Sequence, residues 1–229
     1  MTTGDDDFGD RHSHRLAPEE VIRVKVKAEL RKRLRGVRKT TPIEACEARS
    51  RLIVDRLDTH EAMLAAKRVA LFWPIVTRHE VDLRPLDARL RSRGVRVAYP
   101  AIDPETGTMT LRYVDDPSAL EEQGYGFMEP PASAPDAVDL EVVIVPAIAV
   151  DPAGHRIGYG AGYYDRTLPR YVPPAVSIAV AYDWQLVAEV PATEGDVACM
   201  HVVTDARTMV AAGASPVAPL SGGPPGGRD

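Results

Sequence analysis

EVVIVPAIAV, residues 141–150, runs directly into DPAGHRIGYGAGYYDR, residues 151–166, and this junction decides the fold. After Glu141 the first stretch has no polar side chain, so neither face of an extended chain can be turned to water. That pattern fits a strand buried on both sides, as in a parallel sheet covered by helices. The second stretch is polar, glycine-rich and dense in charge. In open α/β sheets ligands collect beyond the carboxyl ends of the strands, so 151–166 is the expected site.

Outward from this junction the same pattern recurs. Residues 68–75 (RVALFWPI), 95–100 (VRVAYP) and 176–182 (VSIAVAY) read as further buried strands, while 109–114 (MTLRYV) alternates like an edge or hairpin strand. Between them the spacing predicts helices over 18–39, from Thr41-Pro42 to about Ala66, over 85–93 and near 161–169. Strands alternating with helices predict an α/β fold of three layers, a mainly parallel sheet with helices on both faces. In the first helix Val26, Leu30, Leu34 and Val37 form an apolar stripe expected to pack on the body, with Lys27, Arg31, Arg35 and Arg38 along its edge.

Composition narrows the functional classes. The chain has 229 residues, 45% hydrophobic and 27% charged, and a formal net charge of −5, which argues against a chain-wide nucleic-acid footprint. Of 28 basic residues 23 are Arg, an excess that suits anion recognition but that codon bias also produces. No apolar run approaches the roughly 20 residues of a membrane span, and the acidic start lacks a secretory pattern, so a cytoplasmic protein without membrane partners is expected. Cys46 and Cys199 are too few and too far apart for a disulfide framework and read as reduced thiols. Residues 1–16 and 211–229 read as disordered tails, leaving 17–210 as a single catalytic domain.

Gly158, Gly160 and Gly162 allow a loop whose backbone N–H groups turn toward one anion. Arg156 and Arg166 add forked phosphate donors, and Asp165 adds a hard oxygen ligand suited to Mg²⁺. Phosphate with magnesium is the natural guest. A plain strand-to-helix turn remains the competing reading for the glycines alone. The spacing matches neither the dinucleotide fingerprint nor a phosphate-binding loop ending in Lys-Ser or Lys-Thr.

The stretch from Asp151 to Arg166 resembles the signature of the 5-formyltetrahydrofolate cyclo-ligase family at every fixed position. Lys27-x-x-x-Arg31 is similar to that family's basic helix, Glu80-Val81-Asp82 to its Glu-containing turn, and Gly124 to Pro130 to its Gly-hydrophobic-Glu-Pro segment. Val190-Pro191, Asp196 and Val202-Val203-Thr204 follow in the family's order, so the likeness spans about 22–208. Gly195 stands where the family usually has His or Trp, and Tyr159 and Ala161 where some eukaryotic members have basic residues.

The resemblance implies ATP-dependent cyclisation of 5-formyltetrahydrofolate to 5,10-methenyltetrahydrofolate, with ATP as co-substrate, Mg²⁺ as cofactor, and reduced folate and ATP as partners. It assigns Arg31, Arg156 and Asp165 to catalysis. ATP would be held by Lys27, Arg31, Arg156, Gly158, Gly160, Gly162, Tyr163, Tyr164 and Arg166. The folate would meet Arg31, Ile75, Glu80, Tyr125, Tyr159, Gly160, Ala161, Gly162 and Tyr163, with Glu80 accepting from the pterin N–H groups. Asp165 and Asp196 would ligate the metal. Trp73 and Phe127 read as core, Glu129 as turn chemistry, and Arg35 and Arg38 as a solvated face. A catalytically weak folate-binding regulator and a nucleic-acid binder using the basic helix are the alternative readings.

Overall fold

The computed structural model describes residues 17–103, 105–123 and 126–212, so the expected N-terminal tail, residues 213–229 and Tyr125 lie outside the described residues, while Ala211 and Ala212, expected to begin the second tail, are hydrogen-bonded to Met200 O and Pro152 O. In chain order the helices are α1 (Pro18–Thr40), α2 (Ile43–Asp58), α3 (Glu61–Ala65), α4 (Arg84–Ser92) and α5 (Tyr163–Thr167). The strands are β1 (Arg68–Ala70), β2 (Arg96–Ile102), β3 (Met109–Tyr113), β4 (Glu121–Glu122), β5 (Met128–Glu129), β6 (Val142–Pro146), β7 (Ala149–Val150), β8 (Arg156–Ile157), β9 (Val176–Val180), β10 (His201–Val203) and β11 (Thr208–Val210).

Seven strands form one sheet in the order β11-β10-β9-β6-β1-β2-β3. The five central strands are parallel, and β3 and β11 close the edges as antiparallel partners of β2 and β10. From β1 the chain steps to β2 on one side and later returns to β6 on the other. The β1/β6 boundary is therefore the topological switch point, where the carboxyl ends leave a crevice. The expected three-layer α/β architecture is present.

The period-2 pattern sorts the sheet into two unlike faces. Val69, Val97, Tyr99, Val142, Ile144, Ile178, Val180 and Val203 face one side, packed with Ile53 and Leu57 of α2 and Leu86 and Leu90 of α4. Each of these four helix residues is fully buried, worth about 1.5–3 kcal/mol apiece in transfer terms. The other face carries Ala70, Ala98, Val143, Val145, Ala179 and Val202, and beneath it lie Leu140, Leu168, Tyr171 and half-buried Tyr164. Its small side chains let short α5, the turn at Leu168–Arg170 and the 137–140 segment serve as the covering layer.

Several boundaries differ from expectation. The helix predicted to reach Ala66 breaks at Thr59, because the His60 ring accepts from Ala62 N–H and caps a new helix, α3. The strand predicted over 68–75 ends at Ala70. Leu71 N–H still reaches Ala98 O, but Pro74 has no N–H to continue a ladder. The strand predicted over 141–150 divides after Pro146, and β7 pairs antiparallel with β8 as a separate hairpin. The helix expected near 161–169 spans only Tyr163–Thr167 before a tighter turn. Strand β10, three residues long, is too short to show a period in the sequence. The apolar stripe of α1 packs only in part: Leu34 is buried and Leu30 half-buried, whereas Val26 and Val37 are exposed.

Candidate active site

A cleft of 320 Å³ opens at the carboxyl ends of β1, β2 and β6. Its walls come from the segment after β1 (Phe72, Trp73, Ile75), from Arg78 and Glu80, and from Pro100, Ile102, Met109, Phe127, Met128 and Pro146. Lys27 and Arg31 of α1, the loop 156–165 and Asp196 complete it. Most of the sequence-predicted set therefore shares one cavity: Lys27, Arg31, Ile75, Glu80, Arg156, Gly158, Tyr159, Gly160, Ala161, Gly162, Tyr163, Tyr164, Asp165 and Asp196.

The β7–β8 hairpin delivers the glycine loop. Asp151 accepts at Oδ1 from Ala153 and His155 N–H and at Oδ2 from Val190 N–H, which fixes the turn. Gly154, at φ +84°, is required there, because a Cβ would lie 2.0 Å from the Cys199 carbonyl oxygen. Beyond it Gly160 and Gly162 take positive φ, in line with the loop expected from the sequence, while Gly158 does not. Arg31 Nε donates to Gly158 O at 2.7 Å, tying α1 to the loop. Burial, and next to it Arg35, pushes the Arg31 guanidinium below its ordinary value, though it stays a cation.

The two candidate metal carboxylates already have partners. Asp165 Oδ1 accepts from Arg156 Nη2 at 3.0 Å and from Val197 N–H at 3.1 Å, and Arg156, 8% exposed, also donates to Val197 O at 2.5 Å. Asp196 Oδ2 takes the Lys27 ammonium, Thr193 N–H at 2.6 Å and the Thr193 hydroxyl at 3.1 Å. Burial works to raise the Asp196 pKa, but the Lys27 and Thr193 bonds outweigh it and hold it below the ordinary carboxylate range. Gly195, at φ +88°, makes the tight turn by which the Asp196 side chain caps Thr193.

Among the described residues no group of three or more His, Cys, Asp or Glu gathers as a protein-only metal cage. Mg²⁺ does not need one: it binds through one or two carboxylates and completes its shell with water and phosphate oxygens. Asp165 fits that donor chemistry, since its Oδ2 has no hydrogen bond among the described residues.

Glu80 stands in a different setting. It is 8% exposed, accepts from Ile75 N–H at Oε2 (2.8 Å), and takes the Tyr159 hydroxyl at Oε1. Burial first, and the neighbouring Glu80 charge second, push the Tyr159 phenol up to about 12.

Arg166 is not brought into the cleft. It is exposed and folds back, donating to Ala161 O at 2.8 Å with its guanidinium 5.4 Å from the Tyr163 ring centre. Trp73, expected in the core, does pack against it, edge-on to Tyr99, and also lines the cleft; Phe127, expected in the core, lines the cleft too. Arg38, expected on a solvated face, is buried. Phe72, Arg78, Met109 and Met128 join the cleft without having been expected there. Pro74, which has no N–H to continue the ladder beyond β1, is the sequence signal that points to Phe72 and Trp73.

Residues 23–205 match the 5-formyltetrahydrofolate cyclo-ligase family. The chain belongs to that family. A Mycolicibacterium smegmatis 5-formyltetrahydrofolate cyclo-ligase is 44% identical over 98 residues, spanning 42% of this chain and half the length of that relative. The Escherichia coli protein of the same name is 31% identical over 158 residues, 62% of this chain and 87% of the relative. The structure of Aquifex aeolicus 5,10-methenyltetrahydrofolate synthetase superposes with a TM-score of 0.71 at 27% identity, covering 89% of this chain and 97% of that one. A Mycoplasma pneumoniae synthetase shares the fold at 20% identity and a TM-score of 0.62, covering 78% of this chain and 98% of that one. No helix among the described residues is long and apolar enough to cross a membrane.

Proposed function

We propose that this family member, through residues 17–210 acting as one catalytic unit, closes 5-formyltetrahydrofolate to 5,10-methenyltetrahydrofolate at the expense of ATP. The observation that carries the reading is the shared cleft: three cations suited to a triphosphate and one buried carboxylate suited to paired N–H donors line the same 320 Å³. An amide oxygen leaves poorly, so the formyl oxygen attacks the γ-phosphorus and ADP departs. The anilinic nitrogen of the folate then attacks the activated carbon and gives up its proton. Phosphate carries away the former formyl oxygen.

Such a reaction asks for positioning and charge neutralisation more than for a protein nucleophile. Lys27, Arg31 and Arg156 would surround the phosphates, with the N–H groups of the glycine loop beside them. Asp165, and Asp196 once released from Lys27, would hold Mg²⁺, which when bound neutralises phosphate charge. Glu80 would orient the pterin, between the walls offered by Trp73, Ile75, Phe127 and Tyr163. The Lys27–Asp196 ion pair favours one second reading, a folate binder with weak turnover, because it occupies both a phosphate donor and a metal ligand. Near-ultraviolet absorbance of the methenyl product from 5-formyltetrahydrofolate, with and without Mg-ATP, separates the two: product that forms only with Mg-ATP supports the enzyme, and folate binding without product supports the binder.

A further inference from the structure

Arg38 is 5% exposed, and among the described residues no carboxylate pairs with it. A buried guanidinium left without a countercharge is costly, so its surroundings should answer it. Its Nη2 donates to the Tyr159 phenol oxygen at 2.5 Å, and that phenol in turn donates its proton to Glu80 Oε1. With the phenol oxygen accepting from Arg38, the hydroxyl proton has one acceptor to point at. The Glu80 charge is thus reached through a phenol spacer, and each bond polarises the next.

The spacer has a consequence for Glu80. A direct Arg–carboxylate fork would occupy both oxygens. Here the charge is answered from one side only, while Ile75 N–H fixes the other oxygen at 2.8 Å. Each Glu80 oxygen therefore keeps a lone-pair direction for a ligand. Arg35 and Arg78 stand at 5.6 and 5.0 Å from the centre of the Tyr159 ring and make no hydrogen bond to its hydroxyl among the described residues.

We propose that Arg38 is a positioning residue for the folate: through the Tyr159 hydroxyl it holds the Glu80 carboxylate in the one orientation that accepts paired N–H donors from a neutral heterocycle. The proposal rests on the functional reading above and adds the Arg38–Tyr159 relay to it. The test is equilibrium dialysis of the full chain against 5-formyltetrahydrofolate, alongside the Michaelis constants for both substrates. Arg38→Met and Tyr159→Phe should each weaken folate binding about tenfold, or roughly 1.4 kcal/mol, and leave the ATP constant within about twofold. The double variant should lose about the same tenfold, because either change alone breaks the relay. Arg38→Lys should recover part of the loss, and Arg35→Gln should change binding less than about twofold.

A roughly hundredfold, additive loss in the double variant would overturn the relay. So would a loss confined to ATP use, or one equally large in Arg35→Gln. Should Arg38→Met fail to fold, Tyr159→Phe removes a single oxygen and decides the matter in the same way. If the unaltered chain binds no 5-formyltetrahydrofolate, the functional reading itself fails and this proposal with it. Folate bound normally by the unaltered chain and by both single variants leaves that reading standing and removes the Arg38–Tyr159 relay alone.

Discussion

Asp165 and Asp196 each meet a cation directly, Arg156 in one case and Lys27 in the other. Around Glu80 the hydrogen-bonded cation is one phenol removed, Arg78 stands against the face of the same ring, and a backbone N–H holds the second carboxylate oxygen. The first arrangement suits exchange, since an incoming polyanion can replace a carboxylate as the partner of Lys27 and release that carboxylate for a metal. The second suits addition, since a neutral donor can join Glu80 without displacing anything. On the proposed reading, one cleft would serve a triphosphate and a neutral pterin ring through the distance at which it keeps its countercharges.

The largest expected effect breaks the exchange side alone. Asp165→Asn should reduce Mg-ATP-dependent cyclisation at least about a hundredfold, roughly 2.7 kcal/mol, while equilibrium dialysis shows folate binding retained. Wild-type turnover in that variant, or in chelator without divalent cation, would return Asp165 to a purely structural partner of Arg156. Next, Arg31→Ala and Arg156→Ala should each cost about 1.5–3 kcal/mol in kcat/KM for ATP, the scale of a hydrogen bond to a charged group. An unchanged ATP constant and turnover in either would place that residue away from the phosphates.

Glu80→Gln tests the addition side. Gln keeps one acceptor and loses the charge, so folate binding should weaken by about 1–2 kcal/mol with the ATP constant unaltered. If both constants rise together, the two walls are not separable. The smallest effect concerns acid. The folded pKa of Asp196 lies below its unfolded value, so the unfolded chain binds more protons between the two and stability rises with pH across that interval. The contribution should be complete above about pH 4 and fade as pH falls through the folded value. Unfolding free energies of wild type and Asp196→Asn, read from urea titrations, should therefore differ at pH 6 by no more than about 1 kcal/mol and converge in stronger acid.

The sheet is legible in the sequence because its strands carry almost no polar side chains, and the glycine loop because its charges have no packing explanation. What the sequence hides is tertiary. Nothing local says that His60 caps a helix, that Trp73 leaves the strand, or that Asp196 closes on Lys27, 169 residues away. A basic stripe on a helix is ordinarily solvated, which is why Arg38 looks exposed from its neighbours in the chain. Only the fold shows that the stripe lies against Tyr159. Arg166 departs in the opposite direction, since an arginine beside a phosphate-type loop can satisfy that loop's own carbonyl.

Helix α1 is held to the body by few apolar groups, chiefly Leu34 and Leu30 against the β7–β8 hairpin. The rest of its attachment is ionic or polar: Arg23 to Ala192 O, Lys27 to Asp196, Arg31 to Gly158 O and Arg38 to Tyr159. Such a helix depends on directional bonds in a way that α2 and α4 do not: each is lost with its one partner atom, whereas a buried apolar contact can be remade by neighbouring side chains. Amide exchange along its outer turns should quicken when Lys27 or Arg31 is replaced by Met, and slow in the unaltered chain when a triphosphate takes up the same side chains.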